Sequence, residues 1–179
     1  MSAFFDTNVV FYRFDTRDPA KQRIARMLWQ QVAEARAAAI SSQVLAEFTH
    51  AVRRKLRPAM TSDQLKIAVD SLAPMIRVES NKGLVITALD LAIRHQLSIY
   101  DAMIVQAATD SGASILYSED LHDGQRFGPV QVVNPFTQSD LAVNEPRSAY
   151  RAARATRRPR TRPTPDRASL KKASAPTRR

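Results

Sequence analysis

The chain has 179 residues, 44% hydrophobic and 25% charged, which is one ordinary domain with a remainder and excludes both two full domains and wholesale disorder. It contains no cysteine, so disulfide scaffolds, zinc ribbons and thiol nucleophiles are excluded together, and any metal must sit on oxygen or imidazole. The net charge of +10 is unevenly placed: fifteen Lys and Arg balance fifteen Asp and Glu as far as Val143, whereas residues 144–179 carry twelve against two.

Ala3-Phe4-Phe5 is a short apolar run ending in Asp6-Thr7-Asn8, which predicts a first strand opening through a turn into a helix. The opening residues lack a basic region and reach a carboxylate at once, so no signal peptide is expected. No apolar run approaches the ~18–20 residues needed to span a bilayer, and the expected address is the cytoplasm, with no membrane partner. Asp18-Pro19 reads as a cap followed by proline at the first helical position, with Ile24, Leu28 and Val32 at helical spacing up to about Arg36. Ala38–Ser41 is a brief second strand. Ser42 is placed to cap a helix running to about Leu56, where Pro58 stops it. Thr61-Ser62-Asp63 starts a helix that ends before Pro74. Met75–Val78 is a third strand, and a helix follows from about Leu84 to His95. Another begins near Ser98 and stops at Gly112. Ile115–Ser118 is the fourth strand and Val130–Val133 the fifth, ended by Asn134-Pro135. Strands alternating with helices predict an α/β fold with a parallel sheet covered by helices, here over residues 1–143. Residues 144–179 hold five of the ten prolines, no glycine and one aromatic, Tyr150. Such a segment cannot bury enough surface to fold, and a disordered Arg- and Pro-rich basic tail is expected.

Four carboxylates stand where surface acids do not belong. Asp6 and Asp120 come at or just past the ends of the first and fourth strands, the edge at which open parallel sheets bind ligands. Glu47 shares the apolar stripe of its helix with Val44, Phe48 and Ala51, and Asp101 does the same with Ile104, Val105 and Ala108. Taken singly, Asp101 reads equally as a helix cap and Asp6 as a turn residue. Taken together, converging acids repel by ~4 kcal/mol per pair ~4 Å apart at an effective dielectric of ~20. Lys and Arg are nearly absent beside these positions, so a divalent cation is the expected compensation, and oxygen-only ligation suits magnesium or manganese. Thr7, Asn8 and Ser118 flank the acids with groups able to hold water or a phosphate oxygen, and are equally ordinary turn residues. Asp123 is a candidate fifth oxygen, although it also suits the Asp123-Gly124 turn. His50, His95 and His122 show no ligand spacing. There is no Ser/His/Asp set, Walker loop or glycine-rich nucleotide fingerprint.

Phe5-Asp6-Thr7-Asn8, Glu47 within Val44–Phe48, Asp101 within Ser98–Ile104, Ser118-Glu119-Asp120-Leu121 followed by Gly124-Gln125, and the ending Val132–Phe136 together resemble a PIN-domain nuclease of the VapC toxin type, from about residue 2 to residue 137. The resemblance implies a three-layer α/β/α fold. It implies an endoribonuclease dependent on magnesium or manganese held by Asp6, Glu47, Asp101 and Asp120, leaving a 5′-phosphate and a 3′-hydroxyl. It also implies a homodimer inhibited by a small antitoxin whose C-terminal segment occupies the active-site groove. The basic tail departs from the family's usual compact length. Its twelve cations offer a competing function, salt-sensitive binding of nucleic acid around a catalytically silent body. A structure-specific DNA nuclease is a further alternative, although such enzymes usually need more chain than is present here.

Overall fold

The computed structural model describes residues 2–56 and 59–137. The expected boundary at 143, the tail over 144–179 and the stop at Pro58 lie outside the described residues. Among the described residues no helix is long and apolar enough to cross a membrane.

Strands β1 (Ala3–Phe5), β2 (Ala38–Ser41), β3 (Ile76–Val78), β4 (Ile115–Tyr117), β5 (Arg126–Phe127) and β6 (Val130–Val133) form one sheet in the order β3-β2-β1-β4-β6-β5. All neighbours are parallel except β5, which runs antiparallel to β6. Helices α1 (Thr7–Tyr12), α2 (Pro19–Glu34), α3 (Ser42–Lys55), α4 (Ser62–Leu72), α5 (Lys82–His95) and α6 (Ile99–Asp110) flank it in a three-layer α/β/α arrangement. A 3₁₀ turn over Ala73–Met75 leads into β3. β1 and β2 are buried at every position, as parallel strands covered on both faces must be. Phe4, Phe5, Ile40, Phe48, Leu116 and Val105 fill the core, with Phe5 packed between Trp29 and Tyr117 at ring separations of 5.0 and 5.4 Å.

The helix ends follow local chemistry. Asp18 caps α2 with Pro19 behind it, Thr61 and Gln64 form a capping box on α4, and Ser98 caps α6. Gly112, at φ +71, turns the chain out of α6 in a conformation that suits glycine. Two expectations are corrected. The cap of α3 is Ser41, whose hydroxyl accepts from the Val44 N–H, while Ser42 Oγ accepts from the Ser80 N–H at 2.8 Å and ties α3 to the segment after β3. The sheet also has a strand more than the alternation predicts: β5 pairs back on β6 across Gly128 and Pro129, with Gly128 at φ +57.

β1 lies at the centre of the sheet, with β2 on one side and β4 on the other. The order therefore reverses between β1 and β4, and the carboxyl ends of those strands form the crevice in which open α/β sheets place ligands.

Candidate active site

Asp6 follows β1 directly. Its N–H continues the ladder by donating to the Tyr117 carbonyl at 3.0 Å, and its carboxylate caps α1 by accepting from Thr7 N–H at 2.6 Å. Position is thus fixed from both the sheet and the helix. Ser118, fully buried just past β4, donates its hydroxyl to Asp6 Oδ2 at 2.7 Å and accepts from the Asp120 N–H at 3.2 Å. Asn8 Nδ2 lies between two acids, donating to Asp6 Oδ2 at 3.1 Å and to Asp120 Oδ2 at 3.0 Å.

Glu47 enters from α3. Thr7 Oγ1 donates to its Oε2 at 2.7 Å, and Gln43, one helical turn earlier, donates to its Oε1 at 2.8 Å. Asp101 enters from the first turn of α6, where it and Ser98 bond reciprocally: Ser98 Oγ donates to Asp101 Oδ2 at 2.8 Å and accepts from the Asp101 N–H at 3.1 Å. Ile104, Val105 and Ala108 point into the core beside it.

Asp6, Glu47, Asp101 and Asp120 all line one cavity of about 350 Å³, together with Thr7 and Asn8. Only Asp6 is buried among the four. Glu47 and Asp101 are half-buried and Asp120 is exposed. Ser118 acts from behind, through Asp6. Asp123 is not in the lining; it accepts from the Asn134 N–H at 2.8 Å, which places it in the turn before β5. His50, His95 and His122 also stand outside the lining.

The electrostatics are those of an acid pocket. Burial, opposed by the Ser118 and Thr7 hydrogen bonds and reinforced by repulsion from Asp120 and Glu47, raises the Asp6 pKa to about 6. Cations scarce beside the four acids in sequence reach the cavity from elsewhere in the chain: Arg17 and Lys55 line it. The charges of both act on Asp15. Arg17 is held by Asp15, and Lys21 donates to Glu119 and Tyr12 at 2.5 and 3.0 Å. Burial disfavours the Lys21 charge, yet those two bonds hold its ammonium above the ordinary range.

Among the described residues no three acidic or imidazole groups stand close enough to form a ready-made metal shell. The donor chemistry nevertheless fits a hard divalent ion. Magnesium keeps several waters and is bound through one or two carboxylates, and Asp6 and Asp120, sharing the Asn8 amide, are such a pair. Sequence reasoning missed Gln43, Asp15 and Arg17. Gln43 carried a usable signal, its i,i+4 spacing to Glu47.

Fold and cavity define a class: a parallel α/β protein with an acid-lined site at the point where its strand order reverses. A model of the PIN domain family matches residues 3–122, well over half of the chain, and the chain belongs to that family. Solved structures with a similar fold include VapC20 of Mycobacterium tuberculosis, a sarcin–ricin loop cleaving toxin, at 22% identity and TM-score 0.51, covering 69% of this chain and 92% of that one. A toxin–antitoxin complex from Klebsiella pneumoniae matches at 22% identity and TM-score 0.54, covering 75% and 98%. VapBC2 of Rickettsia felis, bound to a DNA fragment from its promoter, matches at 18% identity and TM-score 0.53, also covering 75% and 98%. No curated protein sequence matches the chain significantly.

Proposed function

We propose that the chain is a metal-dependent endoribonuclease, acting as the VapC-type toxin of a toxin–antitoxin pair. The observation that carries this reading is the gathering of Asp6, Glu47, Asp101 and Asp120 around one cavity, where burial first and then the charges of Asp120 and Glu47 raise the Asp6 pKa. Asp6 and Asp120 are the pair that would hold magnesium or manganese directly, with Glu47 and Asp101 of the same cavity placed to hold it through its waters. Such an ion supplies an acidified water and offsets the charge that builds on a phosphodiester under attack. Thr7 and Gln43 fix both oxygens of Glu47, and Ser118, Thr7 and Asn8 fix Asp6, so the acceptors are set before substrate arrives. A small antitoxin and a second copy of the chain are the proposed protein partners. The toxin–antitoxin complexes among the structures of like fold support the first.

The test is cleavage of labelled RNA by the full chain with magnesium and with chelator. Asp101→Ala is expected to lower the rate at least about 100-fold while the circular dichroism spectrum is kept. Full activity in folded Asp6→Ala or Asp101→Ala protein overturns the assignment. Cleavage of branched DNA in place of RNA favours the structure-specific nuclease. Salt-sensitive binding without cleavage in any arm assigns the function to the basic tail.

A further inference from the structure

The connection between α1 and α2 holds a cation in a way that exposed arginines are not ordinarily held. Asp15 is buried, its side chain 5% exposed, while that of Arg17 is 57% exposed. The carboxylate grips the guanidinium as a fork, Nε to Oδ1 and Nη2 to Oδ2 both at 2.8 Å, and takes the Arg17 backbone N–H as well at 3.0 Å. Nη1 donates to the Lys55 carbonyl at 2.9 Å. A guanidinium has five N–H groups, and these bonds use three, leaving one on each terminal nitrogen. The Arg17 hydrogen bonds hold the Asp15 carboxyl below its ordinary range against its burial, and the nearby charges of Arg17 and then Lys55 add to this; the Lys55 ammonium sits 5.5 Å from the Phe11 ring centre. Two cations against one carboxylate leave this part of the wall positive.

Position decides what the pair is for. Glu47, Ala51 and Lys55 succeed one another at i, i+4 and i+8 on α3, and all three line the cavity that Arg17 also lines. Eight residues of helix rise about 12 Å, so the positive end stands well away from Glu47, with only a methyl group between. A polyanion entering an acid-lined pocket must be held somewhere other than at the acids. We infer that Arg17 and Lys55 form a fixed cradle for a backbone phosphate of the RNA other than the scissile one, with the strand crossing Ala51 on its way from the cradle to Glu47. The inference rests on the ribonuclease reading. Arg17 is a positioning residue, pre-set by Asp15 so that little side-chain freedom is lost on binding.

The test uses the full chain and a labelled single-stranded RNA that the wild type cuts, with anisotropy binding measured in an Asp101→Asn background. Arg17→Gln is expected to raise KM about tenfold, the effect of losing a charged hydrogen-bond pair, while kcat changes less than about twofold because such a contact binds substrate and transition state alike. Arg17→Gln and Lys55→Gln are each expected to reduce the slope of log affinity against log salt by about 0.7, one phosphate contact on a single strand. Any contribution of the tail cancels in the comparison. Arg17→Lys is expected to restore the slope but not the full affinity, since lysine cannot reproduce the fork. A merely structural role gives the opposite: both Arg17 variants unfold earlier by similar amounts, with KM and salt slope unchanged. That result overturns the cradle and leaves the nuclease standing. A wild type that cuts no RNA overturns the nuclease reading and the cradle with it, which separates the two failures. Loss of antitoxin affinity in Arg17→Gln with unaltered RNA kinetics also overturns the cradle and gives the fork to a carboxylate of a protein partner.

Discussion

Asp6 is held in a protonation balance that its neighbours set against one another. Burial raises its pKa most, the Ser118 and Thr7 hydrogen bonds pull it down, and Asp120 and Glu47 push it up again, to about 6 from 3.8. The folded chain therefore binds more protons than the unfolded chain between those values, and stability falls as pH rises through that window and stays low above it. The difference between those two values corresponds to about 3 kcal/mol. A divalent ion at the proposed site would relieve that cost by binding the folded form alone. In chelator, the unfolding midpoint of the wild type is expected to fall relative to that of Asp6→Asn as pH rises from 4 to 7, and magnesium at pH 7 is expected to recover the wild type more than the variant. Asp15 titrates with the opposite sign, since Arg17 lowers its pKa, but it is common to both proteins and cancels. A difference between the two proteins that stays constant over the window refutes this account of Asp6.

At the scale of elements, the first turn of α6 does two jobs with one hydroxyl. Ser98 caps the helix and, through the same oxygen, donates to Asp101. Ser98→Ala is expected to cost about 1 kcal/mol of stability and, by freeing Asp101, to slow RNA cleavage about tenfold or more. Thr61→Ala is the control, for it removes the cap of α4 away from the cavity and is expected to lower stability similarly with cleavage unchanged. Equal effects of the two on cleavage would show that Ser98 acts only through helix stability. How much of this was legible in the sequence follows from the range of the interactions. Asp18-Pro19, Thr61 and Gly112 were readable because a cap acts within a few residues. Asp6, Glu47, Asp101 and Asp120 stood out because an acid in an apolar stripe or at a strand end conflicts with its surroundings. The choice of Ser41 over Ser42 was not readable: the two hydroxyls are chemically alike, and Ser42 is claimed by Ser80, 38 residues away. β5, two residues long, has no periodicity to detect. Asp15 and Arg17 look like any solvated pair until the Lys55 carbonyl arrives from α3.

At the scale of the whole molecule, α5 has two apolar faces. Its inner face sets Ala88 and Ala92 against Ala102 of α6, small residues that let the two helices approach closely. Its outer face presents Val85, Ile86, Leu89 and Ile93, which are 42%, 55%, 51% and 71% exposed. Single exposed aliphatics need no explanation, but four at helical spacing on one element form a patch of the kind that marks an interface. A homodimer closes such a patch most simply, because a two-fold axis sets the same face against itself. Ile93→Glu is expected to convert a wild-type dimer to monomers in sedimentation at micromolar concentration. It should leave the circular dichroism spectrum unchanged, since the replaced side chain contributes little to the core. A wild type that sediments as a monomer removes the dimer altogether. A variant that stays dimeric but fails to bind the antitoxin moves the patch to that partner, and one that stays dimeric and binds normally leaves α5 outside both interfaces.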